Sequence, residues 1–219
     1  MPHRHERSVT IEVPGASLPG CLTLPPEAIG LVVFVHGSGS SRHSSRNRQV
    51  AHALVKRGFA TLLFDLLTED EDRDHAARFD IPLLTQRLLD ATAWAHNRPA
   101  LKTLPLGYFG ASTGAAAALR SAALPDADVH AVVARGGRPD LAQDSLSRVT
   151  APTLLIVGGA DPEVLALNRR AYAQLPSPKE LAVVAGATHL FEEPGALDQV
   201  ARLAGDWFQR HCARVHEAA

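Results

Sequence analysis

The sequence holds three side chains that together can perform nucleophilic catalysis, Ser112, Asp161 and His189, in that order along the chain. Residues 110–114 read Gly-Ala-Ser-Thr-Gly, a Gly-x-Ser-x-Gly pattern that presents its serine at a sharp turn between a strand and a helix. An imidazole titrates near neutral pH, so His189 can take up the serine proton. Asp161 can hold that imidazole in the required tautomer. We therefore predict a nucleophilic serine with a histidine base and an aspartate partner.

Each of these residues also has a structural interpretation. Gly-x-Ser-x-Gly occurs by chance, and serine is common as a helix cap, so the Ser112 pattern alone decides nothing. His189 could be a capping or surface histidine. Asp161 could cap the helix that begins at Pro162, a role that is compatible with catalysis. Asp140, which follows the preceding predicted strand, is the rival acid, and we predict Asp161.

Acyl transfer requires hydrogen-bond donors for the oxyanion of its tetrahedral intermediate. We predict the backbone N–H of Thr113, directly after the serine, as one donor and the N–H of Ser38 as the other. Gly37 and Gly39 flank Ser38 and would let the backbone approach a substrate closely. His36, which precedes them, is predicted to fix this loop rather than to carry protons.

Apolar patterning along the chain predicts the elements that would position these residues. Continuous apolar segments, typical of strands buried on both faces, occur at residues 30–37, 60–65, 104–110, 129–135, 152–158 and 180–185. Apolar residues at helical spacing predict helices over residues 46–57, 81–94, 115–123, 162–175 and 196–215. Alternation of strand and helix favours an α/β fold, a doubly wound, mostly parallel sheet with right-handed crossovers.

The remaining segments complete the predicted domain. Two short strands within residues 8–24, joined by a turn at Pro14-Gly15, predict an N-terminal antiparallel hairpin. Residues 68–78 are polar and acidic in their first half, and we predict a loop there. Residues 1–219 are interpreted as one α/β domain, with residues 1–7 a flexible tail.

Composition excludes several classes of protein. The 219 residues carry a formal net charge of −1, which gives no electrostatic footprint for nucleic acid. No apolar segment approaches the about 18 residues that a membrane span needs, and the first residues lack the apolar core of a signal peptide. Cys21 and Cys212 make neither a metal spacing nor a disulfide framework. We expect no metal and no cofactor, and a reducing, cytoplasmic setting.

Four motifs together resemble those of α/β-hydrolases of the dienelactone-hydrolase-like group. They are His-Gly-Ser-Gly at 36–39, Gly-Ala-Ser-Thr-Gly at 110–114, Gly-Gly-Ala-Asp at 158–161 and Thr-His-Leu-Phe at 188–191. The chain order serine, aspartate, histidine is the order of this fold's catalytic triad. The resemblance implies a serine hydrolase that cleaves a carboxylic ester, lactone or thioester through an acyl-enzyme. The dienelactone hydrolases themselves carry a cysteine where this chain has Ser112, so their substrate is not carried over.

The segment between residues 135 and 152 is short, although lid domains of this fold are commonly inserted there. We therefore predict no lid domain and an open site for a small acyl substrate, with Gly37, Arg135 and Phe191 as candidate substrate-binding residues. Arg135 and Arg138 could bind a substrate carboxylate, or they could form salt bridges with Asp140 or with the acidic segment 69–72. The same alternatives apply to three residues of an earlier loop, Arg42, His43 and Arg46.

Two other functions remain open at this point. A non-catalytic small-molecule binder could use the same fold, although a binder would not need all three catalytic groups. A nucleotide-dependent oxidoreductase is less favoured, because the loop at Gly37 and Gly39 lacks the third glycine of the dinucleotide fingerprint, and the chain contains no Gly-Lys-Ser/Thr. The expected partner is a small-molecule acyl substrate, with no nucleic acid and no membrane; a homodimer is left open.

Overall fold

An antiparallel hairpin, β1 (Glu6–Val13) and β2 (Ala16–Thr23), opens the fold in the computed structural model, which describes residues 6–213. Its turn lies at residues 14–15, as predicted, and Ile11 pairs with Leu18 on the buried side. Glu6 and Arg7, predicted to belong to the flexible tail, instead form the start of β1, because they pair with β2. Residues 1–5 of that tail lie outside the described residues.

Six further strands continue the sheet in parallel. They are β3 (Gly30–Val35), β4 (Phe59–Phe64), β5 (Leu106–Ala111), β6 (Ala131–Arg135), β7 (Thr153–Gly158) and β8 (Lys179–Val184). The strand order is β1-β2-β4-β3-β5-β6-β7-β8, with β2 antiparallel to β4. Every residue of β3 to β7 is buried, which explains their continuous apolar sequences. The predicted α/β architecture with its N-terminal hairpin is confirmed.

Helices cover both faces of the sheet. They are α1 (Ser45–Lys56), α2 (Glu69–Arg73), α3 (Ile81–His96), α4 (Thr113–Ala122), α5 (Pro162–Gln174) and α6 (Ala196–His211). Residues of α1 and α6 share one apolar cluster, and those of α3, α4 and α5 share the other. Successive residues of a strand face opposite sides of the sheet. Val33 therefore packs in the cluster of α3, α4 and α5, and Phe34 packs in the cluster of α1 and α6. No helix within residues 6–213 is long and apolar enough to cross a membrane.

The segment predicted as a loop, residues 68–78, instead contains the short helix α2 and part of a 3-10 turn. Thr68 caps α2 by accepting a hydrogen bond from the Glu71 amide at 3.2 Å, and the Glu71 carboxylate accepts one from the Thr68 amide at 2.8 Å. This capping box stabilises a helix that buries no residue of its own. The Thr-x-x-Glu pattern at 68–71 indicates the start of a helix. Because the segment has no apolar stripe, apolar patterning did not predict this helix.

The connection from β6 to β7 is short, as predicted, and holds no lid domain. Residues 139–148 of this connection form 3-10 turns packed on α4 and α5. The last helix, predicted to reach residue 215, ends at His211, and residues 214 and 215 lie outside the described part of the chain. The carboxyl ends of β3, β5, β6, β7 and β8 therefore open onto one edge of the sheet without an inserted cover.

Candidate active site

Ser112 lies at the sharp turn between β5 and α4, as the Gly-x-Ser-x-Gly pattern predicts. Its backbone has φ 50° and ψ −122°, and a positive φ is uncommon for a residue with a side chain. A methyl group on Gly114 would lie 2.1 Å from the Val35 carbonyl oxygen, so only glycine fits where α4 crosses β3. The turn leaves the Ser112 side chain without a hydrogen bond to the helix that it precedes.

Helix α4 holds this turn firmly against the sheet. Nine of its ten residues are buried, and the four alanines at 115–118 are fully so. Alanine has a high helix propensity and a small side chain, so the helix forms readily and packs closely between the sheet and the 139–148 segment. The amide of Thr113 is in the first turn, where N–H groups have no partner within the helix.

Asp161 and His189 are joined by a hydrogen bond, although they follow different strands. Asp161 follows β7, and its Oδ1 atom caps α5 by accepting from the Val164 amide at 3.3 Å. Its other oxygen, Oδ2, lies 2.8 Å from Nδ1 of His189, which follows β8. Because a carboxylate can only accept, Nδ1 carries the hydrogen and Nε2 of the neutral ring keeps its lone pair. The capping role and the pairing role of Asp161 thus coexist.

The rival acid, Asp140, is engaged elsewhere. Its two carboxylate oxygens accept from Nε and Nη2 of Arg138 at 2.9 and 2.7 Å, a bidentate ion pair within one loop. Of the two alternatives for Arg138, the structure therefore has the salt bridge.

Ser112 and His189 line one cavity of about 260 Å³. Its other lining residues are Gly37, Ser38, Ser40, Ser44, Arg46, Asn47, Ala111, Arg135 and Leu190. Within residues 6–213 no hydrogen bond joins the Ser112 hydroxyl to the His189 ring; such contacts are often long before substrate binds. Within the same range no three His, Cys, Asp or Glu side chains are grouped so that they could bind a metal ion.

The glycine-rich loop after β3 lies directly against Ser112. A methyl group on Gly37 would lie 2.9 Å from the Ser112 Cβ atom, so the missing side chain is what allows this approach. The Ser38 amide, predicted as an oxyanion donor, donates to the Thr113 hydroxyl oxygen at 2.9 Å. The two predicted donor residues are therefore in contact.

His36 is locked in place beneath this loop. Its Nε2 atom accepts from the Leu66 amide at 3.0 Å, so Nδ1 carries the hydrogen and donates to the Gly37 carbonyl at 2.9 Å. Burial lowers the pKa of His36 below 6.5, although the Gly37 carbonyl and the charges of Asp65 and Asp72 oppose this shift. A neutral histidine with both nitrogens occupied fits the predicted structural role.

This arrangement predicts lower stability in mild acid. Below the ordinary pKa of 6.5 the unfolded His36 gains a proton that the folded protein does not accept until a lower pH. The unfolded state then binds more protons, so the free energy of unfolding should fall as the pH decreases from about 7.5 to about 5.5. Urea unfolding across that range measures the slope. His36→Gln should flatten it, and His75→Gln, at an exposed histidine, should not. An equal slope in all three proteins would contradict the role of His36.

Phe191 was predicted to contact substrate, and the structure places it elsewhere. Its side chain is fully buried in the apolar cluster of α1 and α6 and does not line the cavity. The ring centre lies 5.7 Å from the Arg135 guanidinium. Leu190, which is 40% exposed, contributes to the cavity instead. The positive φ of 57° at Phe191 turns its side chain inwards, a reversal that its sequence position does not reveal.

The arginines of the earlier loop differ in their partners. Arg42 pairs with Asp65, which follows β4. Arg46 lies in the first turn of α1, lines the cavity and pairs with Glu192 at 3.0 Å. Ser44 and Asn47, which sequence reasoning missed, reach the cavity because Ser44 caps α1 there. The serine before a helical pattern was the available signal.

Residues 18–214 match the dienelactone hydrolase family. The chain belongs to this family. A solved member, the dienelactone hydrolase from Anabaena variabilis, has 52% sequence identity and a TM-score of 0.92, with 95% of this chain and 98% of that chain covered. The resemblance inferred from four motifs is thereby confirmed, and membership of the dienelactone hydrolase family supports a hydrolase.

Two further comparisons place this family member more broadly. A protein of Mycobacterium tuberculosis named putative phosphoribosyl transferase is 60% identical over 207 residues, 94% of this chain and 47% of that protein. The chain thus spans about half the length of this relative. Est1E from Butyrivibrio proteoclasticus, at 17% identity, covers 93% of this chain and 98% of its own with a TM-score of 0.80, which shows the shared fold alone.

Proposed function

We propose that this protein is a serine hydrolase that cleaves a carboxylic ester, lactone or thioester through an acyl-enzyme on Ser112. The observation that carries the proposal is the 2.8 Å hydrogen bond between Asp161 and His189, in a site whose histidine shares a cavity with Ser112 at a strand-to-helix turn. Residues that follow β5, β7 and β8 converge there, an arrangement that a non-catalytic binder would not need.

In the proposed acylation, Nε2 of His189 takes the proton of Ser112 as the serine oxygen attacks the substrate carbonyl carbon. The resulting imidazolium is stabilised by Asp161, which already accepts from Nδ1 in the free protein. The tetrahedral intermediate then expels its leaving group, and Nε2 returns the proton to that group. The product of this step is an ester of Ser112.

Deacylation repeats the sequence with water as the nucleophile: Nε2 takes a proton from the water as its oxygen attacks the acyl carbon. The bond from that carbon to the Ser112 oxygen then breaks, Nε2 returns the proton to this oxygen, and the free acid is released. In both steps the oxyanion would receive hydrogen bonds from the amides of Thr113 and Ser38. The Ser38 amide donates to the Thr113 hydroxyl in the free protein, so it must transfer that bond to the oxyanion. A short, lidless cavity of about 260 Å³ favours small acyl groups over long lipids.

The names of the relatives bear on this proposal to different degrees. The dienelactone hydrolase of Anabaena variabilis covers nearly the whole chain, and its name agrees with a hydrolase of ester bonds. The name putative phosphoribosyl transferase belongs to a protein of which this chain matches 47%, so it describes a much longer chain. We therefore draw the proposed activity from the site and not from that name.

A fluorophosphonate probe tests the proposal directly, because it phosphonylates serines that are activated as nucleophiles. We expect one adduct per chain, located at Ser112 by peptide mass spectrometry, and no adduct in Ser112→Ala. Prior addition of an ester substrate should slow the labelling. If the folded protein remained unlabelled, the serine would not be activated, and the alternative of a non-catalytic binder would gain support.

We further propose that the protein acts in a reducing compartment, the cytoplasm. Cys21 and Cys212 are both free thiols. Burial raises the pKa of the Cys212 thiol to about 12, which keeps it protonated and chemically quiet. Both observations support a chain whose stability does not depend on oxidation.

A further inference from the structure

Arg135 is the last residue of β6 and extends into the cavity beside the nucleophile. Its carbonyl oxygen accepts a hydrogen bond from the Ser112 amide at 3.2 Å, so the backbones of the two residues are joined. Its side chain lines the same cavity as Ser112 and His189, although only 7% of the residue is exposed. A buried cation therefore faces the place where a substrate would sit.

The charge of Arg135 is not balanced by the protein. Within residues 6–213 no carboxylate forms an ion pair with it, and its buried Nε–H has no hydrogen-bond partner. Asp161 and Glu193, which follow β7 and β8, have other partners: Asp161 pairs with His189, and Glu193 accepts from the Thr188 hydroxyl and amide. Desolvation, with a smaller contribution from Arg46, lowers the pKa of Arg135 to about 10, so the group stays charged at neutral pH. An unpaired buried charge is costly and calls for an anion.

Neighbouring groups favour an anion at the same place. Arg46 also lines the cavity, and its Nε–H is buried without a partner, while Nη1 contacts the carboxylate of Glu192. Glu192 pairs with Arg46 and not with Arg135, so the charge of one of these two guanidinium groups stays unbalanced. Both Arg46 and Asn47 belong to the first turn of α1, a helix of 12 residues with no acidic side chain in that turn. Its N-terminal dipole therefore adds to the attraction.

We propose that Arg135, supported by Arg46, forms a subsite for an anionic oxygen group of the substrate, a carboxylate or a phosphate. The proposal rests on the hydrolase function above and narrows its substrate to small anionic esters, lactones or thioesters. A planar guanidinium can bind either group through two parallel hydrogen bonds, and Arg135 lines the cavity in which the group would lie. Substrate binding then supplies the counter-charge that the fold lacks.

Competition by small anions tests this subsite. Succinate and inorganic phosphate should inhibit the hydrolysis of p-nitrophenyl acetate competitively, and uncharged succinamide, of the same length as succinate, should not. Whichever anion inhibits at lower concentration identifies the group as a carboxylate or a phosphate. In Arg135→Gln the inhibition constant should rise by about 10- to 100-fold, the range expected for hydrogen bonds to a charged group. Arg138→Gln is the matched control, because Arg138 is paired with Asp140 outside the cavity, and its inhibition constants should equal those of the unchanged protein.

A binding measurement separates this inference from the proposed function. Succinate or phosphate should also raise the melting temperature of the unchanged protein, and of Ser112→Ala, but not that of Arg135→Gln. If Ser112-dependent hydrolysis were absent while this shift occurred, the hydrolase function would fail and the anion subsite would stand. If neither anion inhibited or stabilised the protein, or if Arg135→Gln bound them equally well, the subsite would be overturned.

A second variant examines whether Arg135 serves the fold instead. Arg135→Met replaces the buried stem of the arginine with an unbranched apolar side chain and removes its unbalanced charge. The melting temperature should therefore rise by about 2–4 °C for each kcal/mol of desolvation cost that is removed. A fall of several degrees would show that the fold itself balances the charge, and would overturn the premise of the subsite.

Discussion

Replacing Ser112 with alanine should lower ester hydrolysis by about 10³-fold or more and leave the fold intact. The variant removes the attacking oxygen, and no hydrogen bond within the turn is lost, because the side chain does not cap α4. Alanine also keeps the small volume that the contact with Gly37 demands. The measurement is kcat/KM for p-nitrophenyl acetate, with circular dichroism and thermal melting to compare the folds.

The matched control for this variant is Ser147→Ala, which removes an exposed hydroxyl that bonds only to the Asp144 carbonyl. That variant should retain the full rate. Turnover that survives in Ser112→Ala at more than about a tenth of the original rate would show that another group attacks the ester. The assignment of Ser112 as nucleophile would then be wrong.

Replacing Asp161 with asparagine should lower the rate by about 10²- to 10⁴-fold. Asparagine caps helices as well as aspartate does, so the contact with the Val164 amide and the start of α5 should survive. The new amide group can donate to Nδ1 of His189, which moves the ring hydrogen to Nε2 and removes the lone pair that accepts the serine proton. The loss should appear in kcat and should not be accompanied by a lower melting temperature.

Asp140→Asn provides the comparison for Asp161→Asn. It breaks the bidentate pair with Arg138, and we expect at most about a threefold change in rate, since this partly exposed ion pair lies outside the cavity. The reverse pattern, a silent Asp161→Asn and an inactive Asp140→Asn, would make Asp140 the catalytic acid. Each protein should be assayed at the same pH, because His189 must be neutral to act as a base.

The fold and the strand ends that carry the candidate residues could be predicted from the sequence for a physical reason. Strands buried on both faces must be apolar throughout, so β3 to β7 are conspicuous in the sequence. Carboxyl ends of parallel strands share one edge, so Ser112, Asp161 and His189 could be predicted to meet. Helix α2 was not predicted, because a capping box and not an apolar face stabilises it.

Contacts between distant loops could not be predicted in the same way. The Ser38 amide meets the Thr113 hydroxyl across 75 positions of the chain, and this contact depends on how closely α4 approaches β3. The partner of Asp140 was equally open, because Arg135 and Arg138 lie in the same short segment. The structure distinguishes the two arginines: Arg135 extends from the end of β6 into the cavity, and Arg138 forms the ion pair with Asp140.

The burial of α4 has a dynamic consequence for the proposed mechanism. Amides of β5 and α4 lie in the most protected part of the molecule, so their hydrogens should exchange with solvent only when the whole domain unfolds. His189 follows β8, a strand at the edge of the sheet in which Val183 is 43% exposed. The His189 side chain is 38% exposed. Residues 185–195 should therefore exchange by local opening. In the proposed mechanism Ser112 therefore stays fixed while the segment that carries His189 opens locally, and products leave without displacement of the serine.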